Sequence, residues 1–153
     1  TDNVMIQVGE KIPEILGLDQ DGKELKMSDF KGKKLVLYFY PKDQTAGCIA
    51  EACSFRDNLS VLANAGYAVV GVSKDSQKSH LNFIAKQHLN FPLISDPEKS
   101  LIERFGVWGE KKMCGKVGFG VIRTTFIINE DGVVERIIEK VNTKQAAQQV
   151  LEA

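Results

Sequence analysis

The sequence is poor in cysteine and shows no excess of charge of either sign. Its 153 residues include only three cysteines, too few for a disulfide-stabilised domain. Lys plus Arg and Asp plus Glu each count 20, so the formal net charge is +0. This balance argues against nucleic acid or an anionic membrane as the main partner. Reduced thiols in the cytoplasm are the simplest interpretation, and we expect a cytoplasmic protein.

Long hydrophobic runs are missing too. No apolar stretch approaches the roughly 20 residues of a membrane-spanning helix. The N-terminus has no basic region followed by an apolar segment, so no signal peptide is expected. With 43% apolar and 26% charged residues, the composition is ordinary for a globular protein. We expect a single domain over residues 1–153, with enough chain for a sizeable core.

The motifs of metal and nucleotide sites are absent as well. Zinc ligands occur at short fixed spacings, whereas Cys48 and Cys53 are separated by four residues and no histidine lies close in sequence. The glycines of residues 115–120 do not form the G-x-G-x-x-G pattern of a dinucleotide site. We therefore expect neither a metal nor another cofactor.

The most informative stretch is residues 35–58, LVLYFYPKDQTAGCIAEACSFRDN. Its apolar run stops at Pro41 and predicts a strand that is buried on both faces. After a polar turn, apolar residues recur at helical spacing, at Cys48, Ala52, Phe55, Leu59 and Leu62. This stripe predicts a helix from about residue 48 to about residue 65 that closes at Gly66.

The rest of the chain completes an α/β pattern. Turn residues between apolar runs indicate hairpins at 15–27 and 121–141. Further strands and helices are expected at 67–72, at 91–94, after Ser76, after Asp96-Pro97 and after Thr143. The glycine- and lysine-containing segment 107–120 is expected to be a solvated loop. The order predicts a central mixed β-sheet flanked by helices, with an N-terminal β-hairpin.

Cys48 has the surroundings of a reactive thiol. A thiol attacks as its thiolate, and the N–H groups and dipole at a helix N-terminus favour that anion. Cys48 falls in the predicted first turn, and Thr45 offers a hydroxyl to the sulfur or to an incoming oxygen. Pro41 stiffens the loop between strand and helix. These features predict a selective nucleophile, against the alternative that Cys48 is only a small apolar core residue.

Cys53 follows five residues later on the same predicted helix. Five residues correspond to about 500° of rotation and about 7.5 Å of rise, which separates the Cα atoms by about 8–9 Å. A disulfide needs less than about 7 Å. The two thiols can bond only if the first turns unwind, which predicts attack in the folded form and resolution in a locally unfolded one. Inert helix packing is the alternative for Cys53.

The residues around Cys48 resemble those of a known family. Pro41-x-x-x-Thr45-x-x-Cys48 is similar to the peroxiredoxin active-site motif. The longer stretch YFYPKDQTAGCIAEACSFRD is similar to the bacterioferritin comigratory protein, or peroxiredoxin Q, subfamily. Similarity continues in the segments 79–96, 105–113 and 123–132, and so covers nearly the whole chain. The resemblance implies a thioredoxin-like fold and a thiol-dependent peroxidase for hydrogen peroxide and organic hydroperoxides, without metal, flavin or haem.

The resemblance also implies roles for individual residues. Cys48 would be the peroxidatic cysteine, which becomes a sulfenic acid. Cys53 would be the resolving cysteine, which forms an intramolecular disulfide with it, and thioredoxin or a similar dithiol protein would reduce that disulfide. Arg123 would hold the thiolate and the peroxide oxygens, because a guanidinium is always charged and offers several donors. Thr45 and Pro41 would complete the site.

Some positions extend or depart from the family pattern. Glu51 matches a position that supports the arginine-centred network. Ala46 stands where the subfamily commonly has proline, which would soften the loop. Cys114 stands where the family would have tyrosine. It is either a thiol without a role in the reaction or an alternative resolving partner. A monomer is expected in preference to a dimer.

Two other functions remain open at this stage. A thiol–disulfide oxidoreductase would use a reactive thiol, although such exchange favours a Cys-x-x-Cys motif whose sulfurs pair without unwinding the helix. A non-enzymatic peroxide sensor or holdase would be oxidised once and would then bind a partner. Peroxide turnover in the presence of a reductant distinguishes the peroxidase from both.

Overall fold

A computed structural model describes residues 4–113 and 115–152. The strands of this part are β1 Ile15–Leu18, β2 Glu24–Lys26, β3 Lys34–Phe39, β4 Tyr67–Ser73, β5 Leu93–Ser95, β6 Trp108–Met113, β7 Lys116–Val121, β8 Thr124–Ile128 and β9 Val134–Ile138. Its helices are α1 Ala46–Asp57, α2 Leu59–Asn64, α3 Gln77–Gln87, α4 Ser100–Phe105 and α5 Ala146–Leu151, with 3₁₀ turns at Met27–Phe30 and Thr143–Gln145.

Seven of these strands form one mixed sheet in the order β2-β1-β5-β4-β3-β8-β9. Strands β3, β4 and β5 are parallel, whereas β1, β2, β8 and β9 join antiparallel at the two sides. The mixed sheet and the N-terminal hairpin are therefore confirmed. Because the three parallel strands point the same way, the loops that follow them meet at one edge of the sheet.

Strand β3 is central and is covered on both faces. Leu35, Leu37 and Phe39 pack into one apolar core together with α4. Val36 and Tyr38 pack into a second core together with α1, α3 and α5. The apolar run of the sequence arises because alternate side chains of this strand enter two different cores. This confirms the prediction of a strand buried on both faces.

Helix α1 begins at Ala46, two residues before the predicted start, and Thr45 is its N-cap residue. It ends at Asp57, and α2 follows after Asn58, so the predicted continuous helix to about residue 65 is broken. The apolar stripe runs through this break, because Phe55 and Leu62 are both fully buried in the second core. The amphipathic pattern therefore identified the buried face correctly and missed the break.

Two other predictions need correction. Residues 107–120 are not a loop, because β6 and β7 form a separate two-stranded antiparallel hairpin. Most of β7 is exposed, so the hairpin lacks the apolar signal of a core strand. Helix α4 begins at Ser100 rather than after Pro97, although the carboxylate of Asp96 still accepts a hydrogen bond from the backbone of Ile102. The cap at Ser76 is confirmed, since its hydroxyl accepts from the backbone N–H of Ser79.

Within residues 4–113 and 115–152, the helices are all too short or too polar to span a lipid bilayer.

Candidate active site

Cys48 is the third residue of α1 and lies in its first turn. Its side chain belongs to the second apolar core, and only 1% of the residue is exposed. The first backbone N–H groups of a helix have no partner within the helix, so their partial positive charge favours a thiolate at this position. The predicted placement of Cys48 in the first turn is confirmed.

Arg123 is far from Cys48 in the sequence but lies beside it in the fold. It lies in the two-residue gap between β7 and β8, and the pairing of Thr124 with Phe39 brings it to the end of β3. Its Nη2 lies 3.3 Å from the Sγ of Cys48, within hydrogen-bond distance for sulfur. A Cβ at Gly47 would lie 3.1 Å from the same Nη2, so glycine leaves the room for this approach.

Glu51 holds the other end of the guanidinium. Its Oε1 accepts a hydrogen bond of 2.7 Å from the Nη1 of Arg123, and its side chain is completely buried. Burial raises the pKa of Glu51 to about 7 and outweighs the opposite effect of the positive charge on Arg123. Burial also lowers the pKa of Arg123, but the charges of Glu51 and Cys48 raise it above its usual value overall. The single positive charge of Arg123 therefore interacts with both Glu51 and Cys48, and each of these two groups can be an anion.

Thr45 and Pro41 lie on the loop that joins β3 to α1. The hydroxyl of Thr45 donates a 2.8 Å hydrogen bond to the carbonyl oxygen of Lys42 rather than to Cys48. Because the hydroxyl proton is used there, the oxygen of Thr45 is left to accept a hydrogen bond from an incoming O–H group. Gln44 has a φ of 65°, in the left-handed region, which turns the loop toward the helix.

A pocket of about 910 Å³ opens above this loop. Its cationic lining residues are Lys42, Lys74, Lys111, Lys116 and Arg123, whereas Asp75 is the only acidic one among the described residues that line it. Its large apolar lining residues are Pro41, Trp108, Val117, Phe119 and Val121. Burial lowers the pKa of Lys111, and the nearby charge of Arg123 lowers it further. The pocket therefore combines apolar walls with a positive field.

Cys53 has different neighbours from Cys48, although both lie on α1. It is partly buried, and its Sγ lies 3.9 Å from the Oε1 of Gln87 on α3. Neither thiol is in a disulfide. The structure therefore does not bring Cys53 to the group formed by Cys48, Arg123 and Glu51. Cys114 lies outside the described residues.

A second polar cluster joins the same loop to α3 and to the segment after β4. Asp43, Asp75 and His80 form the one group, among the described His, Cys, Asp and Glu side chains, whose ligand atoms all lie within 4.8 Å of one another. Asp43 and His80 are almost completely buried and are joined by a 2.7 Å contact. No local sequence pattern indicates this pair, because the two residues are 37 positions apart.

Sequence reasoning also missed the hairpin residues of the pocket. Lys111 and Lys116 were expected in a solvated loop and Trp108 was expected to be a packing residue, but all three line the pocket beside Arg123. Residues 117–121, VGFGV, alternate apolar residues with glycine, and this period of two was the available signal for a strand.

Comparison with known proteins gives the family. Residues 8–137 match the AhpC/TSA family. A putative peroxiredoxin Bcp of Haemophilus influenzae is 42% identical over 147 residues, which are 96% of this chain and 95% of that protein. Peroxiredoxin Bcp of Escherichia coli K12 is 40% identical over 138 residues, which are 90% of this chain and 88% of that protein.

Solved structures agree with this assignment. The bacterioferritin comigratory protein of Xanthomonas campestris has a TM-score of 0.80 and 38% identity, over 93% of this chain and 95% of that one. A mutant of peroxiredoxin Q from Xylella fastidiosa has a TM-score of 0.86 and 34% identity, over 97% and 94% of the two chains. These similarities confirm the resemblance seen in the sequence and the thioredoxin-like fold. The chain therefore belongs to the AhpC/TSA family, as a peroxiredoxin of the Bcp/PrxQ subfamily.

Proposed function

We propose that this peroxiredoxin reduces alkyl hydroperoxides and hydrogen peroxide through Cys48. The observation that carries the proposal is the pair of contacts of Arg123, 3.3 Å to the Cys48 sulfur and 2.7 Å to Glu51. The similar protein of Xanthomonas campestris has alkyl peroxide reduction activity. A pocket with large apolar walls next to the same arginine supports an alkyl group on the substrate.

In the proposed first step, the thiolate of Cys48 attacks the terminal oxygen of the peroxide. The S–O bond forms as the O–O bond breaks, and the leaving alkoxide takes up a proton to become the alcohol, while Cys48 becomes a sulfenic acid. The guanidinium of Arg123 stabilises first the thiolate and then the negative charge that develops on the leaving oxygen. The oxygen of Thr45 accepts a hydrogen bond from the peroxide O–H, and Pro41 closes the wall of the pocket.

In the proposed second step, the thiolate of Cys53 attacks the sulfenic sulfur of Cys48. The S–S bond forms and hydroxide leaves as water after protonation. The different neighbours of the two thiols support a mechanism in which the first turns of α1 unwind. Thioredoxin or a similar dithiol protein then reduces the disulfide by exchange. The scheme needs no residue from a second subunit, and we propose a monomer that acts in the cytoplasm.

The test is peroxide consumption with thioredoxin, thioredoxin reductase and NADPH, comparing the wild type with Cys48→Ser and Cys53→Ser. We expect turnover in the wild type, none in Cys48→Ser, and one sulfenate equivalent at Cys48 in Cys53→Ser. Equal loss of the first oxidation in both variants would overturn the two roles. A wild type that is oxidised once but never turns over with any dithiol reductant would favour the peroxide sensor instead.

A further inference from the structure

The buried pair Asp43–His80 lies outside the reacting group but holds the loop that leads to it. Asp43 lies in the middle of the loop between β3 and α1, two residues before the N-cap of α1. His80 lies in the first turn of α3, on a different part of the fold, and is completely buried. Nothing in the peroxidase scheme uses either residue, although their burial is costly unless both are fully hydrogen-bonded.

The hydrogen bonds of His80 require a proton between it and Asp43. Its Nε2 lies 2.9 Å from the carbonyl oxygen of Ile94, which only accepts, so Nε2 carries a hydrogen. Its Nδ1 lies 2.7 Å from the Oδ2 of Asp43, where two bare acceptors would repel each other. The pair is therefore held together by a hydrogen bond in a water-excluded place, where such a bond is strong.

Asp43 is anchored at its side chain and at its backbone. Its carboxylate also accepts hydrogen bonds from the hydroxyl of Tyr40, at 2.6 Å, and from that of Ser79, at 2.8 Å. Its backbone N–H donates to the Oδ2 of Asp75, at 2.9 Å. The loop is thereby tied to the end of β3, to α3 and to the segment after β4. Thr45 and Cys48 follow immediately, so this anchor determines where the active-site loop can begin to open.

We propose that His80 is a positioning residue for the peroxidase reaction, because its bond to Asp43 holds the loop from Pro41 to Thr45 in the form that attacks peroxide and opposes the unwinding that resolution requires. This inference rests on the proposed function. Weakening the bond shifts the protein toward the locally unfolded form. Attack by Cys48 then becomes slower and disulfide formation with Cys53 becomes faster. A purely structural role would change stability without changing the ratio of these two rates.

Two amide substitutions at His80 separate the two hydrogen bonds of the imidazole. His80→Asn places an amide near the position of Nδ1 and keeps a donor for Asp43, whereas His80→Gln reaches toward the position of Nε2 and keeps only the bond to Ile94. Both variants lose one buried hydrogen bond of the ring, so each is the control for the other. Tyr40→Phe is a milder variant that removes a single hydroxyl from Asp43.

The experiment uses rapid mixing of the reduced protein with peroxide, with sulfenate and disulfide quantified by mass spectrometry after quenching. We expect His80→Gln to form the disulfide about tenfold faster than the wild type, which is the effect expected for one lost buried hydrogen bond. The same variant should attack peroxide more slowly. His80→Asn should keep rates close to those of the wild type, and Tyr40→Phe should shift both rates in the same directions as His80→Gln, by less. Equal behaviour of the Asn and Gln variants would overturn the proposal. If His80→Gln does not fold, an unchanged rate ratio in Tyr40→Phe would overturn it.

Hydrogen exchange on the reduced proteins gives a readout that needs no peroxide. The amides of residues 43–50 should exchange faster in His80→Gln than in His80→Asn, because only the Gln variant releases Asp43. This result together with a wild type that does not consume peroxide would overturn the proposed function and keep the anchor. Identical exchange in the two variants, together with normal peroxide turnover in the wild type, would overturn the anchor and keep the function.

Discussion

Arg123 couples the two groups of the site that can both be negative. A lysine would keep the positive charge but has one nitrogen, which cannot reach Cys48 and Glu51 as two separate guanidinium nitrogens do. We expect Arg123→Lys to lower the second-order rate constant for peroxide by about 10²-fold, the usual cost of losing one aligned donor at a developing anion. Competition kinetics against a peroxidase of known rate would measure it. A Lys variant with the wild-type rate constant would show that charge alone is sufficient.

Glu51 links the pH to the stability of the site. Its pKa rises from 4.5 to about 7 on folding, which corresponds to about 3 kcal/mol. Because the folded pKa is the higher one, the stability gained from this proton is complete below pH 4.5 and is lost as the pH rises from there through about 7. The free energy of unfolding of the wild type should therefore fall over this interval by more than that of Glu51→Gln, which cannot ionise.

Urea unfolding at pH 4.5, 6 and 8 would measure this difference. Comparing the wild type with Glu51→Gln at each pH cancels the titration of other groups, such as Asp96, whose pKa is raised chiefly by burial. Parallel pH curves for the two proteins would mean that Glu51 stays ionised in the folded state through its bond to Arg123.

At the scale of the element, the proposed mechanism requires the first turn of α1 to be ordered for attack and to open for resolution. Gly47 serves both needs, because it leaves room for Arg123 and is a poor helix former. We expect Gly47→Ala to keep or raise the melting temperature while slowing disulfide formation about fivefold, since alanine favours the helix by about 1 kcal/mol. Peroxide attack should also slow, because the new methyl group displaces the guanidinium.

Ala50→Gly is the matched control on the same helix. It favours unwinding without adding any atom near Arg123, so disulfide formation should become faster. Peroxide attack should slow less than in Gly47→Ala, because it is affected only through the smaller population of the folded turn. Quenched-flow mass spectrometry on both variants would measure the two rates. If Gly47→Ala and Ala50→Gly changed disulfide formation in the same direction, unwinding of this turn would not control resolution.

The elements also show what the sequence can predict and why. Strand β3 and the stripe of α1 were predictable because their apolar periods are local and face full cores. The hairpin of β6 and β7 was not, because its second strand is mostly exposed and carries little core signal. The break at Asn58 left no mark in the stripe either, since Phe55 and Leu62 remain buried on both sides of it.

The candidate site also has one part that the sequence predicts and another part that it does not. Glu51 is three residues after Cys48, so helical spacing alone places them on one face. Arg123 is 75 positions from Cys48 and was identified only through the family resemblance. The Asp43–His80 pair was missed because a contact over 37 positions depends on how α3 packs against the loop after β3. Long-range pairing is the part of a site that single-sequence patterns do not contain.

At the scale of the whole molecule, charge is distributed unevenly around a net value of +0. Among the described residues, five cationic side chains line the pocket beside Cys48 and one carboxylate, that of Asp75, does so; this carboxylate accepts hydrogen bonds from Ser73 and from the backbone of Asp43. A cleft lined by one sign of charge raises the local concentration of oppositely charged solutes and increases their association rate. The molecule should therefore discriminate among hydroperoxides by charge although it has no net charge of its own.

We expect a hydroperoxide with a remote carboxylate to react about tenfold faster at low ionic strength than its neutral isostere, because the field of the pocket steers the anion toward Cys48. The advantage should shrink as salt is raised from about 0.01 M to about 1 M, since the Debye length falls from about 30 Å to about 3 Å. Stopped-flow kinetics with both substrates would measure this preference.

Two lysine variants provide the control. Lys116→Gln should reduce the preference for the anion, whereas Lys23→Gln, which changes an exposed lysine outside the pocket, should leave it unchanged. Equal rates for the two substrates at every salt concentration would show that the lysines play no part in substrate selection and that apolar contact with the pocket walls governs it.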